Sequence, residues 1–127
     1  MRATKSVKNR YRQTLGEWGE NTALKFLTGQ GLLLVERNFR SPDGEIDLIL
    51  TDQDQLVMVE VKTRKDAEFG LPEDAITEEK IEHLASAADW FLQKHPDQVD
   101  NWRIDVVSII GTPNKGEPQI EWFQNVS

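Results

Sequence analysis

The sequence predicts an α/β domain in the order α-β-β-β-α-β with a short strand added at the end, its mixed central sheet flanked by helices. Three observations lead there. Two segments repeat apolar residues at helical period, and shorter apolar or alternating segments fall between turn residues at strand length. The second helical segment separates the third strand from the fourth, which gives the chain the length for a parallel crossover.

Each element has its own signal. Thr14 followed by Glu17 has capping-box spacing, and Leu15, Trp18, Thr22, Ala23, Phe26 and Leu27 then share one helical face until Gly29 and Gly31. "LLLVERNFR", Leu32–Arg40, is a first strand. After the turn "SPDG", the segments "EIDLILT" and "LVMVEVKTR" read as a hairpin across "DQDQ". The second helix starts near Pro72 or Thr77 and runs to Lys94, where Pro96 stops it, with Ile81, Leu84, Ala85, Ala88, Phe91 and Leu92 on its apolar face. "WRIDVVSII", Trp102–Ile110, and "QIEWF", Gln119–Phe123, are the last strands. The intervening "GTPNKGE" lacks the Lys-Ser/Thr and the following helix of a phosphate loop, so it reads as a turn.

At 127 residues the chain has the size of one domain that closes a core unaided. It has no cysteine, which removes disulfides, thiolate zinc sites and cysteine nucleophiles and suits a reducing cytosol. His83 and His95 are too few and too poorly placed for a zinc site or a Ser-His-Asp triad. Trp18, Trp90, Trp102 and Trp122 read as core or rim aromatics rather than base-stacking platforms. No run has the length of a membrane span and no apolar stretch follows the basic start, so the expectation is a soluble, cytoplasmic protein with no membrane partner. Net charge is −7, yet residues 1–12 hold Arg2, Lys5, Lys8, Arg10 and Arg12 with no acid. The division expected is a basic flexible arm over 1–13 and a single domain over 14–127. Such an arm is either a solvated terminus or a contact for phosphate.

The hairpin raises a question of charge. If Asp52 to Gln55 join its strands, Thr51 pairs with Leu56, and the same register sets Asp47 opposite Glu60 and Glu45 opposite Lys62 on one face. Two acids at about 5 Å repel by about 3 kcal/mol at an effective dielectric near 20. Lys62 offsets part of this. A divalent ion offsets more, since Mg²⁺ takes one or two carboxylates, keeps waters in its other positions and meets substrate phosphate. The plainer alternative is a Glu45–Lys62 surface ion pair with Asp47 and Glu60 left wet. Against it, Asp47 and Glu60 lie in the most apolar segments of the chain, where an unpaired acid costs most.

"GEIDLI" followed by "VMVEVKTR", then "FGLPEDAITEEK" and "RIDVV", preceded by "GEWGENTALKFL" and "ERNFR", resembles the YraN-like family of small bacterial proteins. That family is assigned to the PD-(D/E)xK nuclease superfamily, so the resemblance implies a restriction endonuclease-like αβββαβ core. It also implies a metal-dependent endonuclease acting on DNA phosphodiesters, branched or structured DNA included, with Mg²⁺ or Mn²⁺. Asp47 and Glu60, helped by the Val61 carbonyl, would bind the metal, and Lys62 would orient the attacking water or stabilise charge on the phosphate. Glu20 resembles the first-helix acid that such nucleases use as an additional ligand, and it falls at the edge of the apolar face while Glu17 points away.

Lys80, Arg40, Arg64 and Asn38 are expected to hold the nucleic-acid backbone, although solvent exposure would also account for them. The literal "PD" of Pro42-Asp43 is a decoy, since Asp43 would need its partner at position 64, about 14 Å beyond Glu60. A homodimer would suit a junction resolvase, but no segment identifies an interface. The competing expectation is a non-catalytic nucleic-acid-binding or adaptor module for DNA repair or recombination proteins, which the acidic body favours.

Overall fold

The computed structural model describes residues 3–66, 76–98 and 101–126, with side chains from Leu15 onward. The elements are α1 (Ala3–Gly29), β1 (Leu33–Ser41), β2 (Gly44–Asp52), β3 (Gln55–Arg64), α2 (Glu78–Lys94), β4 (Trp102–Ile110) and β5 (Gln119–Phe123). The strands form one sheet in the order β1-β2-β3-β4-β5, antiparallel at every junction except β3/β4. That junction is parallel because α2 carries the chain back across the sheet, which confirms the mixed α/β fold and is compatible with a restriction endonuclease-like core.

The helices cover opposite faces of the sheet. Ala23 and Leu27 of α1 pack with Leu48, Leu50, Val57, Val59, Val107 and Ile109. On the other face Leu84, Ala87, Ala88 and Phe91 of α2 pack with Phe39, Ile46, Ile49, Leu56, Met58 and Ile104. β3 and β4 are therefore buried on both sides, which is why they read as nearly unbroken apolar runs. Gly19 brings α1 close to the sheet, because a Cβ there would run into the Thr63 side chain.

Two boundaries differ from expectation. α1 passes through Thr14 rather than starting there, so the capping-box spacing does not mark its N-terminus; the side chains of Thr14 and of the basic residues before it lie outside the described residues. α2 starts at Glu78, where the Thr77 hydroxyl accepts from the Lys80 N–H at 3.1 Å, while the alternative start at Pro72 lies outside the described residues. Among the described residues no helix is long and apolar enough to cross a membrane.

Asp105 anchors the far side of the sheet. It is fully buried and accepts from Arg103 Nε at 3.0 Å, Trp122 Nε1 at 2.9 Å and the Asn125 N–H at 2.8 Å, which ties β5 and the following residues to β4. Asp105→Ala removes one of the two carboxylates that Arg103 pairs with among the described residues and strands the Trp122 Nε1 and Asn125 N–H donors, and should cost about 3–5 kcal/mol in urea denaturation. Gly19→Ala should cost about 1–3 kcal/mol in the same measurement, as α1 is forced off Thr63.

Candidate active site

The hairpin register is the one expected, with Thr51 opposite Leu56 and the ladder running back to Leu48 opposite Val59. Gln53, at positive φ of 59°, lets the turn tighten to Gln53 and Asp54, so Asp52 pairs with Gln55 as well. The ladder then stops one position short of the acids. β2 stays with β1 to the Ser41/Gly44 pair, while β3 stays with β4 to the Arg64/Ile110 pair, so the two central strands part. Asp47 and Glu60 are therefore not a ladder pair, and the expected opposition of Glu45 and Lys62 does not form. Glu45 instead meets Arg40 of β1 at 3.6 Å.

Asp47 replaces the missing ladder bond. Its Oδ2 accepts from the Val61 N–H at 2.8 Å, filling the role a β2 carbonyl would have played had the strands stayed together. In an extended strand the N–H and C=O of one residue point to the same side, which turns the Val61 carbonyl toward this opening too. Burial pushes the Asp47 carboxyl up to about 7, and the nearby Glu60 charge pushes in the same direction; the Val61 N–H opposes them, and Glu20 and Glu45 raise it further.

Glu60 is buried at 6% exposure on the face covered by α2. Its Oε2 meets Lys62 Nζ at 3.4 Å and Lys80 Nζ at 3.3 Å, so the lysine expected to touch nucleic acid lies inside the site. Glu20 comes from the opposite face on α1, held by Arg37 Nη2 at 3.6 Å, and Glu17 is exposed as its projection predicted. Asp47, Glu60, Lys62, Lys80 and Glu20 thus gather around the opening between β2 and β3.

The other expected backbone contacts lie around this group rather than in it. Arg40 is 81% exposed beside Glu45, Asn38 is exposed at a positive φ of 52°, and Arg64 ends β3 with its carbonyl accepting from the Gly111 N–H at 2.8 Å. Asp43 is structural, since its carboxylate accepts from Trp90 Nε1 at 3.1 Å. His95 stacks on Phe91. Two residues escaped the sequence reading. Asp105 lies in the quoted "RIDVV", where an acid within an apolar strand was the available signal. Arg37 faces the α1 side of β1 beside Leu48, and nothing in sequence spacing links it to Glu20.

Among the described residues no three acidic or histidine side chains converge as a ready cage for a metal. The donors nearest the opening are the Asp47 and Glu60 carboxylates and the Val61 carbonyl, all hard oxygen ligands of a kind that fits Mg²⁺ or Mn²⁺ bound mainly through water.

The raised Asp47 carboxyl makes stability depend on pH. Between about pH 4 and pH 7 the folded chain holds a proton there that the unfolded chain, with the ordinary value of 3.8, has released. Stability therefore falls as pH rises through that window and stays lowered above it. Asp47→Asn keeps an oxygen for the Val61 N–H and removes the charge. In chelator at pH 8 it should be more stable than wild type by about 1–3 kcal/mol, allowing for the solvent that reaches this half-buried group, and the advantage should vanish near pH 4 in urea denaturation.

Residues 19–109, which include this site and the strands that build it, match the family described as uncharacterised protein family UPF0102. The chain is 39% identical to a UPF0102 protein of Nocardioides sp., covering 97% of this chain and 98% of that one. It is 44% identical to one from Clavibacter michiganensis over 86% and 92% of the two chains, and 41% identical to one from Paenarthrobacter aurescens over 92% and 96%. The chain belongs to the UPF0102, YraN-like family.

Proposed function

We propose that this protein is a metal-dependent endonuclease that hydrolyses phosphodiester bonds in DNA, with branched or structured DNA as the candidate substrate. The observation that carries the reading is the Asp47 carboxyl, raised to about 7 beside Glu60 where β2 and β3 part, with Lys62 on Glu60. A carboxylate held against neighbouring negative charge is one that a divalent cation would stabilise.

Asp47, Glu60 and the Val61 carbonyl are the residues that would hold Mg²⁺ or Mn²⁺. When bound, such an ion supplies Lewis-acid stabilisation of the charge that gathers on the phosphate oxygens. Lys62 would orient a water or donate to a non-bridging phosphate oxygen, and Glu20 would accept a hydrogen bond from that water. Hydrolysis adds one water across a P–O bond, with the hydroxyl going to phosphorus and a proton to the leaving sugar oxygen. Arg40, Arg64 and Asn38 would contact the backbone to either side.

A second reading, a non-catalytic DNA-binding or adaptor module for repair or recombination proteins, is favoured by the net charge of −7, which opposes binding of a polyanion outside a local basic rim. Cleavage of nicked, branched and single-stranded DNA in Mg²⁺ or Mn²⁺ separates the two. Wild type should cut at least one of these substrates, and Asp47→Asn and Lys62→Met should each lose about 100-fold or more in kcat. Wild type that binds DNA but takes up no Mn²⁺ at millimolar concentration and cuts nothing would leave the adaptor reading standing.

A further inference from the structure

Glu60 places two ammonium groups on one oxygen. With Lys62 at 3.4 Å and Lys80 at 3.3 Å from Oε2, the two cations lie no more than about 7 Å apart and repel each other. One lysine suffices to pair one carboxylate. The second adds a further positive charge beside the same oxygen, so the pair of lysines supplies the charge of a divalent cation where one would bind.

The lysines differ in freedom. Lys62 lies two residues from Glu60 on the same face of the same strand. Lys80 comes from another element, the first turn of α2, and its side chain is 39% exposed. The helix beneath it is fixed, since Thr77 caps it and Leu84, Ala87, Ala88 and Phe91 are buried. Only the Lys80 side chain has to move for its ammonium to leave Glu60.

We infer that Lys80 is an exchangeable counter-ion of Glu60: it gives way to a divalent cation and then grips a DNA phosphate beside the site. The inference rests on the metal-dependent reading above and adds to it a coupling between metal occupancy and DNA affinity. Once the cation is in place, the charge of Lys80 is surplus at Glu60, and the phosphodiester restores neutrality. The order of events makes the coupling change sign: Lys80 opposes the metal when DNA is absent and assists DNA only when metal is present.

The test uses the full chain with Lys80→Met and Lys80→Arg, neither of which disturbs the backbone N–H that Thr77 caps. Mn²⁺ binding is followed by electron paramagnetic resonance without DNA, and binding of a labelled four-way junction is measured in EDTA and in Ca²⁺. Lys80→Met should bind Mn²⁺ about 5- to 10-fold more tightly than wild type and the junction about 5- to 10-fold more weakly in Ca²⁺, with no loss in EDTA. Lys80→Arg should stay near wild type in all three measurements. Unchanged Mn²⁺ affinity in Lys80→Met, or an equal loss of junction binding in EDTA and Ca²⁺, overturns the exchange and leaves the endonuclease reading untouched. If wild type and variant both bind no Mn²⁺ at millimolar concentration, both ideas fall together.

Discussion

The bond from the Val61 N–H to the Asp47 carboxylate is the constraint around which the rest of the site is arranged. The sheet opens where β2 leaves β3 and continues beside β1 alone. An opening in a sheet exposes backbone donors that must find an acceptor. Using a carboxylate for that purpose satisfies the donor and fixes an acid at the mouth of the opening, with its charge already disfavoured by burial and by Glu60.

The other elements supply this opening with groups from both faces. α1 brings Glu20, and it comes close enough because Gly19 lies against Thr63 without a side chain in between. α2 brings Lys80, aligned by the Thr77 cap and by a buried face that leaves the helix one seat on the sheet. Arg37 holds Glu20 from β1, and its Nε is buried without a hydrogen-bond partner among the described residues. Acids and cations are thus interleaved. Glu60 has Lys62 and Lys80, Glu20 has Arg37, Glu45 has Arg40, and Asp47 has the Val61 N–H and no paired cation among the described residues. Burial and the neighbouring acids hold a proton on Asp47, and it is the position at which an added cation would relieve that repulsion.

The opposite edge of the domain is built to be rigid. Asp105 is more deeply buried than Glu60, but among the described residues its carboxylate accepts hydrogen bonds from Arg103, Trp122 and the Asn125 backbone. Arg103 in turn reaches Asp52 at 3.2 Å and Gln55 at 2.9 Å, so the β2–β3 turn is fastened to β4 at the end away from the opening. The strands are clamped at one end of the hairpin and free to part at the other. A buried acid with its donors satisfied stabilises the fold, whereas one left beside other acids is available for chemistry.

The sequence by itself determined the order and type of the elements, because period-2 and period-3.6 burial leave direct traces in residue pattern. It also determined the hairpin register, since a one-residue slip would have turned Leu48, Leu50, Val57 and Val59 away from α1. Asp47, Glu60 and Lys62 could be singled out because charge inside an apolar strand is costly wherever that strand lies. What only the tertiary structure decided was where the ladder ends and what surrounds it. The register alone set Asp47 opposite Glu60 and Glu45 opposite Lys62, but the competing pairings of β1 with β2 and of β3 with β4 pull the strands apart before those positions meet. Lys80 on Glu60 and Arg37 on Glu20 were likewise invisible in one dimension. Each joins elements distant in the chain, and their meeting is set by how the helices seat on the sheet rather than by any local pattern.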